Sequence, residues 1–318
     1  MPPLAEVIDT LLKVVLPATC AAAIVFVLVA KLAPARLAPA AAALALMVGF
    51  VAGNHWRGAV EYRLDSERLL TPADLAQAFR DTFVPPQSED APLPPPSRYW
   101  LPWTAGLALL GGLAARAVPA FAGWSIRIAL AGLATALAVT ADLREGVPWF
   151  TPAFFAVVLA EWLVLERLAG QPRREVDERS FAKPWLAPAA ACATFVAASI
   201  VLLHAHSARF VDIATIMAAS LGTIALLAWL TKTDPASVAP GVAVMLPGLM
   251  LVGYQDTFSE VPTASFATIA LAPLSLAALL LPRLRSSRGA TSLAVATFFT
   301  VLAIGVSLAV QAESLSFE

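Results

Sequence analysis

Ten times along this chain an apolar stretch runs for roughly the 20 residues that a helix needs to cross hydrocarbon, where its backbone must satisfy its own hydrogen bonds. The windows fall at about 12–30, 37–53, 99–117, 123–141, 150–168, 186–204, 211–229, 237–254, 264–282 and 291–310. Their recurrence predicts an all-α fold: a polytopic membrane bundle of about ten helices forming a single domain over residues 1–318. Several breaks carry helix-interrupting residues: Pro34 in "KLAPAR", Asp234-Pro235 in "TKTDPAS", and Gly146 with Pro148 in "GVPW". These read as short hairpin loops.

Composition agrees with a lipid environment. The 318 residues are 59% hydrophobic and 14% charged, with a mean hydropathy of +0.77, whereas soluble domains carry about one-quarter charged residues. A net charge of −1 lacks the basic footprint of a nucleic-acid binder. Cys20 and Cys192 both fall inside apolar windows, where a thiol acts as a small hydrophobe, so neither a disulfide nor a metal site is expected from them. The opening "MPPLAEVIDT" holds Glu6 and Asp9 but no base, unlike the positive start of a secretory signal, so the first window reads as a retained helix.

Positive charge orients the bundle, because Lys and Arg accumulate on cytoplasmic loops. Connections after the odd-numbered windows hold 13 of the 21 basic residues, from Lys31 and Arg36 to Arg283, Arg285 and Arg288. Of the other eight, five lie in the 54–98 loop among seven acids. The expectation is a bacterial cytoplasmic membrane protein, inner in a Gram-negative cell, with both termini on the extracytoplasmic side.

Residues 54–98 form the one long loop. Within "TPADLAQAFRDTF", Thr71 suits an N-cap and Pro72 the first helical position, while Leu75, Ala78, Phe79 and Phe83 recur at helical spacing. This predicts a short amphipathic helix over 71–83. The following "VPPQSEDAPLPPPSRYW" contains six prolines and reads as an extended strap, either docking an extracytoplasmic partner or simply leading back into the third window.

Few ionisable groups lie within the windows, and each is expensive there: about 2.5–3.5 kcal/mol on insertion scales, so that such residues are usually paired and often functional. Glu161 sits inside "FFAVVLAEWLVLERLAG", and Arg127 lies at similar predicted depth on the preceding antiparallel helix. The expectation is an ion pair between them, serving either as a helix lock or as a gate. In the seventh window, Asp212, Thr215, Ala219 and Gly222 recur every three or four residues as a small and polar stripe. Such a stripe lines a pathway or packs on a neighbour. Asp212 and Thr215 are accordingly candidates for a pathway wall.

The three histidines, His55, His204 and His206, fall at predicted outer helix ends near Asp142 and Arg209. Residues two apart on a helix diverge, so His204 and His206 converge only if the helix ends between them. This group reads as an outer-face polar cluster with no metal assigned. The eighth window holds Pro240-Gly241 and Pro247-Gly248, and the ninth holds Pro273. A proline in a helix interior frees a carbonyl, so these are candidate kinks of the kind that transporters use for binding.

HExxH, nucleophilic-serine and Walker A patterns are missing, and no cofactor is implied. Two functions follow: a secondary transporter or channel-like protein for a small solute, or a non-catalytic scaffold binding a partner through 54–98. The lipid bilayer is the partner common to both.

Overall fold

In a computed structural model, which describes residues 8–32, 38–57, 100–142, 150–169, 183–255, 257, 260–281, 284 and 287–315, every element among the described residues is helical. Each apolar window holds a helical segment. We number them α1 (Ile8–Leu32, with a π-helical turn at Leu11–Val15), α2 (Ala41–Arg57), α3 (Trp100–Ala117), α4 (Ala120–Asp142) and α5 (Phe150–Ala169). The second half comprises α6 (Leu186–His204), α7 (Ala208–Thr231), α8 (Ala239–Gln255), α9 (Thr263–Leu271, continuing as a 3₁₀ segment Ala272–Leu280) and α10 (Arg288–Leu315). Among the described residues, seven helices are long and apolar enough to cross a membrane; α2 is a shorter apolar helix, and α5 carries Glu161, Glu166 and Arg167. The chain is thus a helical membrane bundle. The amphipathic helix and strap expected over 71–98 lie outside the described residues.

Burial separates the helices into layers. Along the span containing α8, 94% of residues are buried, against 22% for α1 and α4 and 28% for α10. The centre of the bundle is therefore α8, and the sparsely buried helices leave Leu, Ile and Phe side chains exposed on the outside of the bundle. α8 contacts α3, α5 and α9 most extensively, while α1, α2, α6 and α7 form a second cluster in which α6 pairs with α7 and α1 with α2.

Small residues set these approaches, because hydrocarbon provides no hydrophobic drive and association depends on close packing. Gly49 and Gly53 of α2 stand four apart. A Cβ on Gly49 would lie 2.6 Å from Ser220 Oγ of α7 and 3.0 Å from the Ala18 carbonyl of α1, and one on Gly53 would lie 2.9 Å from Ile216. One glycine face thus admits two helices. Gly112 of α3 is closed similarly by the ring of Pro240, a Cβ there falling 2.2 Å from Pro240 Cγ.

Of the three candidate proline interruptions, one coincides with a change of helix geometry and one lies within a helix that continues through it. Pro247 lies inside α8, and Pro273 stands where α9 tightens from α to 3₁₀ geometry. Pro240, by contrast, is the second residue of α8, where its missing N–H would have had no intrahelical partner. Pro240-Gly241 is therefore a packing contact with α3, Leu109 filling the space beside Gly241, and the kink expected there does not form. Gly248 is buried beside Pro247.

Candidate functional site

Glu161 is the twelfth of the twenty residues of α5. Its side chain is fully buried, and neither carboxyl oxygen has a hydrogen-bond partner. The same face of α5 carries Val158, Leu165 and Leu168, all buried. Trp162, the next residue, is also fully buried and its Nε1 has no acceptor. Three polar atoms on two consecutive residues are thus left unsatisfied in an apolar interior, at a cost of about 1–3 kcal/mol for each group.

The expected partner is engaged elsewhere. Arg127 Nε and Nη2 donate to Glu166 Oε2 and Oε1 at 3.1 and 2.8 Å, a two-pronged ion pair joining α4 to α5. The ion pair between Arg127 and Glu161 therefore does not form. The reason is rotation about the helix axis: at 3.6 residues per turn, positions five apart point roughly 140° away from one another. Glu166 takes the face toward α4, and Glu161 is left in the interior without a cation. Trp124 stacks under the Arg127 guanidinium, 5.8 Å from the ring centroid, and further fixes it.

A second pair closes the same end of the bundle. Arg116, in the last turn of α3, donates to Asp234 Oδ2 at 2.7 Å, while Asp234 Oδ1 accepts from the Ala236 N–H at 2.8 Å. Ser237, one residue on, lends its hydroxyl to the Ala43 N–H at 3.1 Å and so caps α2 from another part of the chain. Sequence reading alone did not identify either contact. The signals present were a turn-forming Asp-Pro and a helix start, Ala41, with no capping residue of its own.

The stripe on α7 is in part a packing surface. Thr215 donates to the Val211 carbonyl and Thr223 to that of Ala219, at 2.8 and 2.9 Å, so both hydroxyl protons serve their own helix. A Cβ on Gly222 would lie 3.2 Å from Cys192 Sγ of α6. Asp212 is half-buried and engaged in an interaction of its own. Between the stripe and α2 lies Ser220, fully buried with an unpartnered hydroxyl, a polar group that sequence spacing alone did not single out.

At the opposite end, α6 does stop at His204, and His206 follows in the left-handed region with φ 55°. His206 and His55 are exposed and His204 is half-buried. Among the described residues no group of three or more His, Cys, Asp or Glu side chains is placed to hold a metal ion. Asp142 closes α4 and Arg209 opens α7, but their side chains lie outside what the structure describes.

Pro247 is the ninth of seventeen residues in α8, the helix packed most closely on α5. It has no N–H, so the Ala243 carbonyl loses its usual donor. Glu161 thus stands just past the middle of α5, and Pro247 at the middle of the helix packed most closely on it. Comparison of the chain with family models, with curated proteins and with solved structures finds no match.

Proposed function

We propose that this chain is a secondary carrier or channel-like protein for a small polar solute, and that Glu161 is the residue on which transport turns. The proposal takes the bundle as ten spans in a bacterial cytoplasmic membrane with both termini outside, so that Arg116–Asp234 and Arg127–Glu166 close the cytoplasmic face. The observation that carries it is the unpartnered burial of Glu161. A charge that serves only to hold helices together is paired, as Arg127 and Glu166 are; a carboxyl kept at mid-depth without a partner is available for a ligand. Trp162, the next residue of α5, adds a second unpartnered polar atom, and α8, with Pro247 at its middle, is the element able to shift against α5.

The reading requires water to reach Glu161 at some point in a cycle. Val158 and Leu165 flank it on the same face, so a single thiol at either position, with Cys20 and Cys192 replaced and Glu161 retained, reports on that access. Membrane-impermeant thiol reagents applied to right-side-out and inverted vesicles are expected to label both positions from at least one side. Absence of labelling from both sides, with a control thiol at exposed Ser287 reacting normally, would sink the carrier reading. The bundle would then be a dry scaffold, and the loop over 54–98 the place to seek a partner.

A further inference from the structure

We infer that the ion exchanged at Glu161 is a proton and not a metal cation, an inference that rests on the carrier reading above. An unpartnered carboxyl in an apolar interior needs some positive companion, because an isolated ionised carboxylate is prohibitively costly there. The surroundings decide which companion fits. Hard metal cations are held by about six oxygens. A proton needs one oxygen to carry it and one to accept its hydrogen bond.

Among the described residues, the segments packed most extensively on α5 are α8, α4, α6, Ala236–Val238 and Ala272–Leu280. From Ala239 to Gly253, α8 has no side-chain oxygen at all, and its one titratable group, Tyr254, lies at its end. On the remaining segments, Ser125, Thr135, Thr194, Ser199 and Ser275 each donate to a carbonyl of their own helix, and the Ser237 hydroxyl accepts from the Ala43 N–H. The charged or titratable groups on these elements are Arg127, held by Glu166; Cys192, beside Gly222 of α7; and Asp142 and His204, at the far ends of α4 and α6. Arg167 and Glu166 occupy the last turn of α5 itself. None of these is a second carboxylate at the depth of Glu161. The backbone oxygen that Pro247 leaves without its usual donor is that of Ala243, one turn earlier on α8. One buried carboxyl is enough to carry a proton and falls far short of a coordination shell.

Infrared difference spectroscopy on the full-length protein in proteoliposomes tests this. The expected result is a protonated-carboxyl C=O band that shifts in D₂O, is lost at alkaline pH, persists when sodium or potassium chloride replaces choline chloride at fixed pH, and is missing from Glu161→Gln. Labelling the glutamates with ¹³C shifts the band in the wild type and so assigns it to a glutamate, and Glu161→Leu, which removes the same carboxyl, identifies which one where the Gln variant fails to fold. Loss of the band on adding sodium or potassium would overturn the inference in favour of a metal-ion site. A band absent throughout, or one blind to both D₂O and pH, would overturn it as well. The band reports the proton and thiol labelling reports the water path, so the two readings fail separately.

Discussion

Arg127 grips both oxygens of Glu166, and Glu161, five residues earlier on the same helix, is left with none of that charge. The α4–α5 contact is therefore specified by one acid, and the other is free of structural duty. A double-mutant cycle with Arg127→Ala and Glu166→Ala is expected to show a coupling of about 1–2 kcal/mol, within the range for side chains in direct contact. The parallel cycle of Arg127→Ala with Glu161→Ala should give nothing beyond the few tenths expected of uncoupled sites. Unfolding in detergent micelles measures both. Equal coupling in the two cycles would mean that Glu161 shares the cation after all.

If Glu161 is retained for activity, the fold should tolerate its loss. Replacing it with Leu exchanges an unsatisfied polar group for an apolar one of similar reach, and buried groups without partners cost about 1–3 kcal/mol. Glu161→Leu is expected to unfold at a higher temperature than the wild type, or at the same one, while losing the exchangeable carboxyl band. A destabilisation beyond about 1 kcal/mol would show that the carboxyl has a structural partner.

The positions of the helices were legible in the sequence because hydropathy depends only on which residues are adjacent. The windows at 150–168 and 186–204, for instance, match α5 and α6 to within a residue. The pairing of Arg127 was not legible, since depth along the helix is read from spacing but the facing side depends on how helices are rotated in the bundle. Glu161 and Glu166 differ by about 7.5 Å in depth, which spacing gives, and by about 140° in direction about the axis, whose partner spacing does not give. Nor does hydropathy separate α8, nearly all buried, from the lipid-facing α1 and α10, for all three are simply apolar. Small residues at spacings of four mark a close approach, as at Gly49 and Gly53 of α2, but which neighbour fills the gap is not written in the spacing.

Ser237 links the start of α2 to the start of α8 through one hydroxyl. Ala43 is the third residue of α2, and its N–H is among the four that a helix cannot satisfy internally. Ser237→Ala should therefore cost about 0.5–2 kcal/mol, as loss of an N-cap does. Ser237→Thr keeps the hydroxyl and is expected to recover most of that in the same unfolding measurement. Failure of Thr to recover stability while Ala is tolerated would indicate that packing volume, not the hydrogen bond, matters at this site.

The glycines divide into those that admit a neighbour and those that face open space, and one substitution distinguishes the two. At Gly49 a methyl would press on Ser220 Oγ, on the Ala18 carbonyl and on the Ala22 methyl group, drawn from two different helices. Gly49→Ala should therefore separate α2 from α1 and α7 and cost about 1–3 kcal/mol, the range for overpacking a tight interior. Adding Ser220→Ala removes the nearest obstacle, but the Ala18 backbone stays in place, so rescue should be partial. At Gly106 and Gly132 a Cβ meets nothing within 4 Å. There the same change only restricts the unfolded chain and favours the helix, and it should stabilise by up to about 1 kcal/mol. Thermal unfolding of the three single variants side by side gives the order. If Gly49→Ala is as well tolerated as the other two, α2 does not hold α1 and α7 at backbone contact.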